Sequence, residues 1–132
     1  MNLKLKLLAT TIFAGLLVGC GGPATGTVTG RVLIDGAAQG GFEVTFTSQT
    51  DGSGAMGSSQ QDGQYQLFVG RGKTQIPAGN YKVTVAPTPF VEGIPLPKVK
   101  LPATVTDLDQ TVLIKTVKGG ENVIDLEVTP IR

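Results

Sequence analysis

The chain has 132 residues, 40% of them hydrophobic, with 11 basic and 10 acidic side chains, a formal charge of +1 and no histidine. That length holds one domain around one core, and charges spread this evenly leave no basic face for nucleic acid. The missing histidine removes the imidazole base of serine and cysteine triads and, with only one cysteine in the chain, ordinary zinc sites.

The first element is a leader. Lys4 and Lys6 precede an apolar run from Leu7 to Val18, the charged-then-apolar order of a secretory signal. The run is shorter than the about 20 residues that span a bilayer. Leu17-Val18-Gly19-Cys20 has the form of a bacterial lipoprotein box. Cutting before Cys20 places bulky Leu17 where an ordinary signal peptidase wants a small residue. A lone thiol in an oxidising compartment would also have no disulfide partner. Leu17, Val18 and Gly19 are therefore expected to be the peptidase recognition residues and Cys20 the lipidation site, with more than one acyl chain for a stable anchor. Lys4 and Lys6 leave with the leader, which turns the formal charge from +1 to −1. The expected organisation is a signal peptide over 1–19, a lipidated cysteine and spacer over 20–26, and one domain over 27–132.

After the spacer the pattern changes to period two. Val28, Gly30, Val32 and Ile34 fall on one side and Thr27, Thr29, Arg31 and Leu33 on the other, which predicts a strand ending at an Asp35-Gly36 turn. A second strand puts Phe42, Val44 and Phe46 on one face. Residues 48–63 are rich in Gly, Ser, Gln and Asp and predict an exposed connection with one short edge strand, closed by Asp62-Gly63. A glycine, then Tyr, aliphatic and Val at alternate positions, occurs at 63–69 and again at 79–85. Both tyrosines are expected to point inward with their hydroxyls on backbone partners near the rim. Pro87, Pro89, Pro95, Pro97 and Pro102 make a strap or an edge, since each removes a ladder donor. A strand from about Thr111 to Val117, a Gly119-Gly120 turn and a strand through Ile124, Leu126 and Val128 read as a closing hairpin. No stretch of the mature chain keeps a 3.6-residue period, so the fold class is all-β, a single sandwich of about seven strands.

Six motifs in order carry a resemblance. They are Gly26-Thr27-Val28-Thr29-Gly30 with Asp35-Gly36, Gly41 to Phe46, Asp62 to Leu67, Pro77 to Val83, Ile94-Pro95 with Pro97-Lys98, and Val117 to Asn122. With them the chain resembles the small lipoproteins, abundant in planctomycetes, whose mature part is a carboxypeptidase regulatory-like domain. The resemblance implies a transthyretin-like (prealbumin-like) Greek-key sandwich and an envelope location, and it supplies no activity. One similar branch hydrolyses 5-hydroxyisourate with histidines and a Tyr-Arg-Gly-Ser ending, whereas this chain ends Thr129-Pro130-Ile131-Arg132. Related pilin and adhesin sandwiches join a first-strand lysine to a last-strand Asn or Asp. Here the first strand offers Arg31, whose guanidinium is a poor nucleophile.

The carboxylates name no catalytic pair, and Asp107-Leu108-Asp109 lacks the glycine and distant glutamate of a calcium loop. No enzyme activity, cofactor or metal is expected. Two readings of function remain. The first is a membrane-tethered envelope lipoprotein that acts as a structural or protein-interaction module, with Phe90, Val91 and Ile94 on the Pro-rich strap as the candidate partner surface. The second is a binding module for glycan or another small ligand. The absence of Trp, and the placement of all mature aromatics except Phe90 on expected strands, weigh against it. The location expected is the periplasmic or exterior side of the envelope. Gly21 stands where many enterobacterial lipoproteins carry an inner-membrane aspartate, which favours the outer membrane.

Overall fold

The computed structural model describes residues 24–88 and 92–131. Among these the chain forms ten short strands and one helical turn, arranged as two sheets. β1 (Thr25–Ile34) buries Val28, Val32 and Ile34 and keeps Arg31 exposed, as its period-two pattern demands. Asp35 and Gly36 both have positive φ, 53° and 83°. That is the left-handed pair of a two-residue hairpin turn, and it returns the chain as β2 (Ala37–Ala38).

β1 is the spine of the first sheet. β2, β5 (Gln64–Gln66) and β6 (Ile76–Pro77) follow one another along one edge of it, all antiparallel. β9 (Gly120–Val123) and β10 (Leu126–Val128) run along the other edge, both parallel. The second sheet is antiparallel throughout, in the order β4 (Gly54–Ser58), β3 (Phe42–Ser48), β7 (Gly79–Pro87), β8 (Ile114–Val117). Counted as rows, three in one sheet and four in the other, the strands match the expected sandwich. Between the sheets lie Val28, Val32 and Ile34 of β1, Phe42, Val44 and Phe46 of β3, and Tyr81, Val83 and Val85 of β7, with Leu67, Ile76, Leu126 and Val128. α1 (Ala103–Thr106) is a single turn that adds Val105 to this core.

Three expectations need correction. The last strands are not a hairpin: β8 pairs with β7 in the second sheet, while β9 and β10 pair with β1 in the first. Gly119-Gly120 carries the chain across the sandwich, with Gly120 at φ 93°. The crossing is held by Asn122, whose Oδ1 accepts from the Lys118 N–H at 2.9 Å and whose Nδ2 donates to the Thr27 and Lys118 carbonyls at 3.0 and 2.9 Å. The strand expected from Thr111 begins only at Ile114. Thr111 is buried instead, and its hydroxyl donates to the Val83 carbonyl at 2.6 Å while accepting from the Leu113 N–H. Pro87 belongs to a strand after all, as the last residue of β7 opposite Phe42. It is tolerated because β8 covers only Gly79 to Lys82 and leaves no ladder partner for the missing N–H.

Candidate functional site

Most of the residues singled out from the sequence lie outside the described residues: Leu17, Val18, Gly19 and Cys20 of the leader box, and Phe90 and Val91 of the strap. Ile94 is described, and it is half-buried. It rests on the glycines that precede β3: a Cβ on Gly40 would come within 2.9 Å of its Cδ1, and one on Gly41 within 3.0 Å of the Pro97 ring. Ile94 and Pro97, three residues apart, pin the strap to the sandwich. Among the described residues of the strap, the large apolar side chain left in solvent is Leu96, 54% exposed, which the sequence did not single out.

The tyrosines behave as expected. Tyr65 donates to the Ile124 carbonyl and Tyr81 to the Pro77 carbonyl, each at 2.6 Å, with both rings in the core. Burial pushes both phenols above the ordinary value of 10.0, with the Asp125 charge adding to Tyr65 and the Asp51 charge to Tyr81. A phenol raised by folding contributes stability that is complete below about pH 10, where the unfolded side chain starts to ionise, and is lost as pH rises toward the folded value. The melting temperature of the wild type is therefore expected to fall more steeply above about pH 10 than that of Tyr65→Phe. Parallel melting curves across that range would mean that Tyr65 ionises as freely in the fold as out of it.

The loop carboxylates are used by their own turns. Asp51 accepts from the Ser53 N–H and hydroxyl, bonds that hold its carboxyl below the ordinary range. Asp62 and Asp107 each take the N–H two residues on. Among the described residues no group of three or more His, Cys, Asp or Glu could hold a metal ion. On the edge shared by β1 and the last strands, Asp125 accepts the Arg31 N–H at 3.0 Å and lies 3.7 Å from the Arg31 guanidinium. Both side chains are exposed, so the pair adds under about 1 kcal/mol.

Concave surface occurs where the edge of the second sheet meets β5. Main-chain bonds between Met56 and Phe68, at 3.0 and 2.8 Å, stitch β4 to the chain just beyond β5. Beyond that stitch Gly57 lies flush on the backbone of Gln66, where a Cβ would overlap the Gln66 carbonyl oxygen. A groove of about 710 Å³ results, with Glu43 and Ser58, opposite one another in the β3–β4 ladder, on one side and Gln64 and Gln66 on the other. The Phe68 ring is 41% exposed at its end. The expectation that Phe68 sits on a strand is thus corrected: β5 stops at Gln66, because the chain there leaves β1 to bridge Met56.

No protein-family model matches the chain, and no curated protein matches it. Among solved structures it is similar to the major pilin subunit of Bacillus cereus, with a TM-score of 0.51 and 16% identity over 83% of this chain and 31% of the pilin. It also aligns with DUF3823 family proteins from Bacteroides ovatus, TM-score 0.49 and 24% identity over 80% of this chain and 45% of that one, and Parabacteroides merdae, TM-score 0.49 and 17% identity over 83% and 48%. The chain spans less than half the length of each. The likeness to the pilin shows a common β-sandwich fold. Among the described residues no helix is long and apolar enough to cross a membrane.

Proposed function

We propose that the chain is an envelope lipoprotein, tethered through Cys20, whose sandwich is a non-catalytic structural or protein-interaction module on the periplasmic or exterior side of the outer membrane. The observation that carries this reading is the position of Cys20: it closes the Leu17-Val18-Gly19-Cys20 box and stands five residues ahead of β1. The five residue steps from Cys20 to Thr25 reach at most about 18 Å, so the tether would keep the Thr25 end of β1 close to the bilayer. β1 has ten residues, or roughly 30 Å at about 3.3 Å each. The strap packs at the opposite end, where Thr88 donates to the Gly41 carbonyl and Lys100 bridges Ile131. In this orientation the described part of the strap, with half-buried Ile94 and exposed Leu96, would be held away from the lipid. The non-catalytic character is supported by the missing histidine and by carboxylates committed to their turns.

The test is a Cys20→Ser variant expressed in a bacterium with a lipoprotein pathway. Wild-type protein is expected in the membrane pellet after a carbonate wash and the variant in the supernatant, since the variant lacks the thiol that would carry the acyl chains. A variant that stayed in the washed pellet would sink the tether.

A further inference from the structure

The groove between β4 and β5 has a lining that the tether and the strap do not use. Among the described residues its lining carries one carboxylate, Glu43, and no cation, so a phosphate or another anion would meet no opposite charge there. Its remaining polar side chains include Gln60, Gln64 and Gln66. Each amide presents donors and an acceptor side by side, the pattern that a pair of neighbouring hydroxyls can satisfy. An apolar ligand would have to desolvate these amides and the carboxylate without return. An extended peptide would need a free strand edge, and Phe68 already occupies that of β4 at Met56. At the end of the groove the half-exposed Phe68 ring offers an apolar face beside polar groups.

We propose that this groove binds a short segment of a neutral glycan, with Phe68 under the C–H face of a sugar ring and Gln64, Gln66 and Glu43 on its hydroxyls. The volume of about 710 Å³ lies in the range of ordinary ligand sites. The site is also preformed. Gln66 is fixed in register with Thr29 of β1, Glu43 with Ser58 of β4, and Gln60 donates its N–H to the Gln64 carbonyl at 2.8 Å to close the turn beneath them. Little order has to be gained on binding.

The experiment is a backbone amide NMR titration of the full chain in micelles of a sugar-free detergent. The probes are the hexasaccharides of cellulose, mannan and xylan, with an oligogalacturonate as the acidic comparison. One neutral probe is expected to move the amides of Ser58 and of Gln64 to Phe68. Phe68→Ala and Gln64→Ala are each expected to raise its Kd about tenfold or more, while Leu96→Ala on the strap leaves it unchanged. Both groove variants change exposed side chains, and a melting curve within a few degrees of wild type shows that they fold. The proposal is overturned if no neutral probe moves these amides at about 10 mM, if the acidic probe moves them more, or if binding survives Phe68→Ala unchanged. Because the readout is local to the groove, its outcome is independent of whether Cys20 is acylated.

Discussion

Gly30→Ala is expected to lower the melting temperature by about 8–20 °C. Gly30 lies in the middle of β1, opposite Tyr65 of β5, and a Cβ there would overlap the Ile124 carbonyl oxygen and come within 3.1 Å of the Tyr65 ring. The reason is specific. The Tyr65 hydroxyl reaches the Ile124 carbonyl at 2.6 Å, a bond that ties β5 on one edge of β1 to the last strands on the other, and the missing side chain of Gly30 gives it room. An added methyl pushes on backbone rather than on a flexible side chain. The overpacking costs about 1–3 kcal/mol, and a displaced Tyr65 loses a buried hydrogen bond worth about 1–2 kcal/mol more. The sum is about 2–5 kcal/mol, and at about 4 °C per kcal/mol for a domain of this size it gives a drop of about 8–20 °C. Gly54→Ala is the control: the nearest atom to its Cβ would be the Phe46 carbonyl oxygen, 3.6 Å away. That variant is expected within about 0.5 kcal/mol of wild type. Equal melting temperatures for the two variants, in calorimetry of purified protein, would remove the Tyr65–Ile124 tie from the account.

The second large effect is at the centre of the other sheet. Phe46 is fully buried, flanked in register by Ala55 of β4 and Val83 of β7, with its ring centroid 5.9 Å from that of Tyr81. Phe46→Ala leaves a cavity lined by two sheets that cannot close on it, at a cost of about 3–5 kcal/mol out of a total stability of about 5–15 kcal/mol. Phe46→Leu keeps most of the volume and should cost under about 1.5 kcal/mol. Phe68→Ala, on a half-exposed ring outside the core, should cost less than Phe46→Ala. Chemical denaturation of the three variants measures the order. If Phe68→Ala proved as damaging as Phe46→Ala, Phe68 would be a core residue and its place in the groove would be lost.

Much of the sandwich was legible because its strands obey local rules. Period two in β1 and β3 named the buried side chains correctly, from Val28 to Ile34 and from Phe42 to Phe46. Asp35-Gly36 announced its own turn. What stayed hidden depends on partners far away in sequence. A Gly119-Gly120 reversal looks the same whether the next strand folds back on β8 or crosses to β1. Asn122 decides the matter by bonding Thr27, 95 residues earlier, and Gly26 lets the crossing chain approach. Ser59 is fully buried in a stretch whose composition reads as solvent-exposed, because its hydroxyl accepts the Phe42 N–H at 3.0 Å. Phe68 continued an alternating pattern on paper, yet β5 ends two residues before it, since Met56 competes for its backbone. The candidate sites differ in the same way. The lipoprotein box is a linear string, so reading it needs no fold. The groove draws Glu43 and Ser58 from one sheet and Gln64 and Gln66 from the other, and only their assembly brings the amides together.

Intact mass spectrometry of the protein extracted from membranes tests the tether most directly. The account predicts a chain that begins at Cys20 and carries the added mass of a diacylglyceryl group and a further acyl chain, all of it on the first residue. A species that retains residues 1–19, or one that begins at Cys20 with an unmodified thiol, would contradict it.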